Sequence, residues 1–78
     1  MAGVITHHGV RIVTLEPGDT VATQGLPGDI VLEDIGRGWI THFIDDDGKV
    51  ESYEDSFDTY NKALGSAKAA AEYQASGE

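Results

Sequence analysis

The sequence predicts an α+β domain in which a twisted antiparallel sheet of five or six short strands packs against one C-terminal helix. Two observations lead to this prediction. Short β-branched segments alternate with glycine-containing turns through residues 1–53, which is typical of antiparallel strands. Apolar residues then recur with helical spacing over about residues 56–74. The 78 residues are enough for one small domain, 1–78, and the tail at 75–78 is expected to fray.

The first two strands are predicted to form a hairpin around the His-His-Gly tripeptide at residues 7–9. β-branched side chains dominate the segments on both sides, 4–6 and 10–15. Glycine adopts positive φ angles at low cost, so it suits the end of a tight turn. With a three-residue loop, Thr6 would lie opposite Val10.

The tripeptide Pro-Gly-Asp occurs twice, at residues 17–19 and 27–29, and β-branched residues follow each copy. Proline presets the backbone of the first central position of a turn, and glycine supplies the positive φ that a type II turn needs at the second. We therefore predict a turn at each copy. A short strand at 20–23 is predicted after the first turn and a strand at 30–35 after the second.

The segment at 39–53 is predicted to be the central hairpin, because two apolar arms flank an Asp-Asp-Gly sequence that favours a tight turn. In a type I turn closed by Gly48 in the left-handed conformation, Ile44 would lie opposite Val50. Both faces of this hairpin carry apolar side chains, which favours a central position or a covering element. The aromatic residues are expected to form the core where the helix meets this hairpin: Trp39, Phe43, Tyr53, Phe57 and Tyr60.

The C-terminal helix is predicted to begin at Ser56, a favourable N-cap residue, with acidic residues near the positive end of the helix dipole. Gly65 lowers the helix propensity by about 1 kcal/mol relative to alanine. We interpret it as a position that permits close approach of helix and sheet. One face of the helix carries the apolar residues expected to contact the sheet: Phe57, Tyr60, Leu64, Ala67 and Ala71.

The composition restricts the classes of function. Fourteen acidic and five basic residues give a formal net charge of −9. Nucleic acids and anionic membranes are negative, so this charge argues against both as direct ligands and favours a basic protein surface as partner. The alternative is that acidity serves only solubility. Cysteine is absent, the N-terminus lacks a signal-peptide pattern and no apolar segment approaches the about 20 residues that cross a bilayer, so we expect a cytoplasmic protein.

The acidic cluster between residues 45 and 58 is the sharpest candidate site. Seven acids and one base, Lys49, occupy this segment. A rigid row of carboxylates can occupy a groove built for phosphates, because it competes for the same lysine and arginine side chains. The alternative is a solvated loop followed by a helix N-terminus, which favours acids. The predicted partner-binding residues are Asp45, Asp46, Asp47, Glu51, Glu54, Asp55 and Asp58.

Metal-binding motifs are weak. An EF-hand loop beginning at Asp45 would need glycine at its sixth position and glutamate at its twelfth, and the sequence has Val50 and Ser56 there. The adjacent His7 and His8 could share a metal ion with a third ligand only if the turn bends, because neighbouring side chains of a strand point in opposite directions. We therefore predict no metal site.

Catalytic motifs are also missing from the sequence. It contains no G-x-S-x-G, no glycine-rich phosphate loop before a helix and no H-E-x-x-H. We predict a protein that is not an enzyme and that needs no cofactor. His42 lies between two isoleucines of a predicted strand, and we expect it to be a half-buried imidazole whose hydrogen bonds are satisfied.

A small, cysteine-free, strongly acidic α+β chain with an acidic hairpin at Asp45, Asp46 and Asp47 and a terminal helix resembles the phage-encoded anti-CRISPR inhibitors. The resemblance covers the whole chain and concerns size, charge and layout, so it carries over no individual functional residue. It implies a protein that binds a CRISPR–Cas complex in the host bacterial cell, in some members of the class at the site for target DNA. The alternative is a small structural or oligomerising module of a phage or mobile element that uses its sheet edges or aromatic face.

Overall fold

The chain folds into a five-stranded sheet with one helix packed on it, which confirms the predicted α+β class. The computed structural model describes residues 3–16, 18–21, 25–53 and 56–76, without the side chains of 74–76. The strands lie in the sheet in chain order. Among the described residues, the strands are β1 (Gly3–His7), β2 (Val10–Thr14), β3 (Ile30–Asp34), β4 (Trp39–Ile44) and β5 (Val50–Ser52), and the C-terminal helix is α1 (Tyr60–Ser76).

One strand pair departs from the predicted antiparallel arrangement. β2 and β3 are parallel, whereas the other neighbouring pairs are antiparallel. A parallel pair needs a connection that returns the chain to the starting end of the sheet. Residues 15–29 make this crossover, and both Pro-Gly-Asp sequences lie in it. The pattern of short apolar segments and turns did not reveal it, because a crossover and a series of hairpins look alike in that pattern.

The β1–β2 turn is one residue shorter than predicted. His7 pairs with Val10, so the loop consists of His8 and Gly9, and the predicted pairing of Thr6 with Val10 is wrong. His8 and Gly9 have φ angles of 54° and 79°. Positive φ at both central positions is typical of a type I′ turn, whose twist matches that of the flanking strands. The tighter turn moves every facing pair of the hairpin by one residue.

A hydrogen bond closes a turn at each Pro-Gly-Asp sequence, as predicted, and Pro17 itself lies outside the described residues. The N–H of Asp19 donates to the carbonyl of Glu16 at 2.9 Å, and the N–H of Asp29 donates to the carbonyl of Leu26 at 3.0 Å. In each turn the aspartate carboxylate also accepts the N–H of the first turn residue. The first two residues of the strand predicted at 20–23 lie in no strand, and the other two lie outside the described residues.

The sheet has a buried layer on each face. The helix covers one face, where Ala63, Ala67 and Ala71 are fully buried. Their small side chains let α1 lie close to the strands, as predicted for Ala67 and Ala71. The sheet residues of this layer are Ile12, Ile30 and Leu32. On the opposite face, the crossover residue Val21 packs against Val13, Leu15, Val31 and Ile44.

The helix begins later than predicted. Thr59, not Ser56, is the N-cap, because its side-chain oxygen accepts the N–H of Lys62 at 3.2 Å. Phe57 instead pairs with Trp39 through two backbone hydrogen bonds of 2.7 and 2.8 Å. This pairing holds Phe57 beside the first residue of β4, before the helix starts. The helix also continues two residues beyond its predicted end.

Four of the five aromatic residues predicted for the core pack on the face of the sheet that the helix covers. The rings of Trp39 and Tyr60 lie 5.1 Å apart. Tyr53 differs, since its ring lies 5.0 Å from that of Phe43 but 44% of the residue is exposed. Gly65 is exposed, and a Cβ there would meet nothing within 4 Å. Our interpretation of Gly65 as a point of close approach is therefore wrong.

Candidate functional site

The predicted acidic hairpin is built on a tight turn at residues 45–48. The N–H of Gly48 donates to the carbonyl of Asp45 at 2.9 Å, and Gly48 has a φ of 86°. The carboxylate of Asp45 accepts the N–H of Asp47 at 3.0 Å and that of Lys49 at 2.9 Å. The side chain of Asp45 therefore stabilises the turn, and the hydrogen bonds from these two N–H groups partly offset its negative charge.

Strand β5 extends the acidic surface beyond the turn. Val50 pairs with Ile44, as predicted, so the register of the hairpin is the expected one. Glu51 lies opposite Phe43 and is exposed. The turn and the strands beside it form a groove open to solvent, which is lined by Gly28, Phe43, Ile44, Asp45, Asp46 and Glu51.

Asp46 and Asp47 occupy the outermost positions of the turn. Both are exposed, and neither makes an ion pair with any residue that the structure describes. Their backbone is fixed by the contacts of Asp45. These two carboxylates therefore combine a defined position with an uncompensated charge.

Asp58 lies just before the helix, and its charge is compensated. The Nζ of Lys62 is 3.1 Å from its carboxylate, one helical turn further along the chain. The hydrogen bond from Lys62, followed by the positive charge of that side chain, lowers the pKa of Asp58 below its ordinary value of 3.8. A partner would therefore meet an ion pair at this position rather than a bare carboxylate.

The described acids of the predicted cluster divide into two groups along β4. Asp58 follows Phe57, which pairs with Trp39 at the first residue of β4, whereas the turn follows the last residue of that strand. The two ends are about 17 Å apart at the usual rise of a strand. Glu54 and Asp55 lie outside the described residues. We call the group at the turn the acidic tip; it comprises Asp45, Asp46, Asp47 and Glu51.

A second group of carboxylates was missed by the sequence reasoning. β2 and β3 are parallel, so their C-terminal ends lie side by side, and the segments that follow them come together although they are distant in the sequence. A second groove open to solvent results, lined by Leu15, Glu16, Gly18, Asp19, Glu33, Asp34 and Gly36. This group could have been predicted only if the parallel pairing of β2 and β3 had been recognised, and the sequence pattern did not reveal that pairing. Three of its acids hold the local structure: Asp19 and Asp34 accept backbone N–H groups, and Glu33 contacts His42.

His42 joins three strands on the face opposite α1. Its Nδ1 lies 2.6 Å from the hydroxyl oxygen of Ser52, and its Nε2 lies 2.8 Å from a carboxylate oxygen of Glu33. Only 12% of its side chain is exposed, which confirms the expected half-buried imidazole. In serine hydrolases the ring nitrogens have the reverse roles, and oxyanion donors and a substrate pocket are also required. Neither of the two grooves described above is lined by Ser52.

Another contact ties the β1–β2 turn to the helix. The Nε2 of His7 lies 2.9 Å from a carboxylate oxygen of Glu72, although the two residues are far apart in sequence. This hydrogen bond lowers the pKa of Glu72 below its ordinary value of 4.5, against a smaller opposing effect of desolvation. The first hairpin and the later turns of α1 are thus linked by a polar contact as well as by packing.

Within the part of the chain that the structure describes, α1 lacks the length and apolar character that a bilayer crossing requires. Comparisons with protein-family models, with curated proteins and with solved structures each gave no match.

Proposed function

We propose that this protein is a non-enzymatic inhibitor that binds a host CRISPR–Cas complex, or another nucleic-acid-binding defence complex, through its acidic surface and blocks nucleic-acid binding. The observation that carries this proposal is the state of Asp46 and Asp47. Both carboxylates are exposed, lie on a turn whose backbone is fixed, and make no ion pair with the described residues. Their charge is available to a basic partner.

A rigid acidic tip suits a phosphate-binding groove for two physical reasons. Lysine and arginine side chains that bind phosphates attract any fixed array of negative charge, which speeds the encounter and favours the correct orientation. A turn that is already ordered loses little conformational entropy when it binds. The net charge of −9 adds a longer-range attraction to the same basic surface.

The members of the proposed binding surface do not contribute equally. Asp46, Asp47 and Glu51 have exposed positions on the acidic tip, whereas Asp45 also builds the turn. Asp58 contributes less because Lys62 compensates its charge. Glu54 and Asp55 continue the same segment and stay part of the predicted surface.

The test is a double substitution that removes charge from the tip without touching Asp45. Asp46→Asn with Asp47→Asn keeps the side-chain size and the turn. The measurement is the amount of protein that displaces labelled target DNA from each of a panel of purified CRISPR–Cas effector complexes. We expect the parent protein to displace DNA from at least one complex and the variant to need about tenfold more, since exposed charge pairs contribute up to about 1 kcal/mol each. Added salt should weaken both.

The matched control changes the net charge by the same amount at a distant place. Ala69→Lys with Tyr73→Lys alters two exposed positions of α1. This control should displace DNA nearly as well as the parent protein. If the parent protein displaces DNA from none of the complexes, the proposal is wrong. If both double variants lose the same affinity, overall acidity rather than the tip explains the binding.

An exposed sheet edge favours a second candidate, an oligomerising module of a phage or mobile element. β1 is an outer strand, and Val4 and Ile5 on it are 47% and 41% exposed. The free backbone groups of an edge strand can pair with a strand of another chain. Light scattering separates the two candidates, because a stable homo-oligomer that Val4→Lys dissociates would favour the module.

A further inference from the structure

Three metal-ligating side chains meet where the β1–β2 turn touches the helix. His7 ends β1, His8 lies in the turn, and Glu72 lies on α1. One ligand atom from each of the three lies within 4.8 Å of the others. The two imidazole rings are 4.6 Å apart and nearly perpendicular, at 83°. His7 is partly buried, whereas the other two side chains are exposed, so an ion can reach the cluster from solvent.

The backbone explains why two adjacent histidines can reach the same point. Side chains of neighbouring residues in a strand point to opposite faces. Here the strand ends at His7, and His8 takes a φ of 54°, outside the extended conformation. The tight turn therefore swings the ring of His8 towards that of His7. This bend is the condition under which a shared metal ion becomes possible.

The helix supplies the third ligand at a fixed position. Ala71 is fully buried against the sheet, and Glu72 is the next residue of the helix. The packing of α1 therefore sets where the carboxylate can lie relative to the turn. The carboxylate already contacts His7 at 2.9 Å, a separation close to that between two ligands of one tetrahedral ion.

We propose that His7, His8 and Glu72 form a binding site for a divalent transition metal ion of the zinc type, with water in the remaining position. Two imidazole nitrogens and one carboxylate oxygen are a ligand set that Zn²⁺, Co²⁺ and Ni²⁺ accept, and three protein ligands leave a coordination position open. Bonds of about 2.0–2.1 Å need ligand atoms about 3.3 Å apart. The ligand atoms now lie within 4.8 Å of one another, and rotation of the exposed side chains of His8 and Glu72 can bring them to this separation. The negative net charge raises the local concentration of cations.

A bound ion would join the first hairpin to α1 at the far end from the helix start. It would bind only the folded chain tightly, because the ligands are far apart in the sequence. It would therefore raise the unfolding temperature, by an amount that grows with the concentration of free ion. The site is independent of the acidic tip, so its existence does not depend on the function proposed above.

The experiment uses the full chain without an affinity tag, treated with chelator and then dialysed. Titration with Co²⁺ is followed by visible absorption, and thermal unfolding is measured with and without Zn²⁺. We expect one ion per chain, an absorption band in the visible region and a higher unfolding temperature with Zn²⁺. His8→Asn, which tolerates a positive φ, and Glu72→Gln should each weaken binding by about tenfold or more.

His42→Gln is the matched control, because His42 also contacts a glutamate but lies on the other face of the sheet. It should bind Co²⁺ as tightly as the parent protein. Glu72→Gln alters an exposed helix position, so its result stands even if His8→Asn unfolds the turn. The absence of stoichiometric binding by the parent protein, or equal binding by parent and Glu72→Gln, would overturn the proposal.

Discussion

The buried hydroxyl of Thr41 lowers the stability of the folded chain. Thr41 is fully buried, and its side-chain oxygen has no hydrogen-bond partner among the described residues. Leaving such a group unsatisfied costs about 1–3 kcal/mol. Valine has the same shape without the hydroxyl, so Thr41→Val should raise the free energy of unfolding by about 1 kcal/mol. Urea unfolding followed by the fluorescence of Trp39 measures the change.

The same substitution at Thr59 serves as the control for Thr41. Thr59 caps the helix through its side-chain oxygen, so Thr59→Val should lower the free energy of unfolding by about 1 kcal/mol. The same chemical change should therefore have opposite signs at a hydroxyl without a described partner and at one that caps the helix. A lower stability of Thr41→Val would mean that its hydroxyl accepts or donates a hydrogen bond after all.

The carboxyl of Asp58 should report directly on its ion pair. Replacing Lys62 by methionine removes both the hydrogen bond and the charge, so the pKa of Asp58 should rise towards 3.8. An NMR titration of the side-chain carboxyl measures it, and Lys68→Met is the control. Because the folded-state pKa is lowered, the stabilisation from this pair is present above pH 3.8 and is lost as pH falls through the lowered pKa. An unchanged pKa in Lys62→Met would show that the pair does not form in solution.

At the level of the elements, two glycines should respond in opposite directions to the same substitution. Gly65 is exposed within α1, so Gly65→Ala should raise the free energy of unfolding by about 1 kcal/mol. Gly38 is buried, and a Cβ there would lie 2.5 Å from the carbonyl oxygen of Phe57. Gly38→Ala should therefore lower the free energy of unfolding by about 1–3 kcal/mol. Thermal unfolding of both variants checks the signs, and a gain in both would contradict the packing described for Gly38.

The elements also show which features of the fold could be predicted from adjacent residues and which could not. The pairing of Ile44 with Val50 could be predicted because the turn between them is specified by adjacent residues. The helix start could not be predicted in the same way, since Phe57 is held by backbone hydrogen bonds to Trp39, which lies elsewhere in the sequence. The β1–β2 turn was predicted one residue too long because histidine seldom takes the positive φ that His8 adopts.

At the level of the whole molecule, the features that could not be predicted from the sequence depend on the parallel pairing of β2 and β3. The crossover residue Val21 packs on one face and α1 packs on the other, so buried residues lie on both faces of the sheet. The parallel pairing also brings the second acidic groove together from two distant segments. The exposed acidic tip was predictable because its residues lie close together in the sequence, whereas its separation from Asp58 depends on the path of β5 along β4.

The same crossover has a consequence for how the chain acquires its structure. β3, β4 and β5 are joined by short turns, so they can assemble from local contacts. Pairing of β2 with β3 must first close the loop at 15–29, and the ordering of that loop costs entropy before its contacts form. During synthesis the β1–β2 hairpin emerges before β3, so β2 cannot pair with β3 until the segment at 30–34 has followed. The β1–β2 hairpin can therefore join the sheet only after the later strands have been made, and its contacts with the helix form later still.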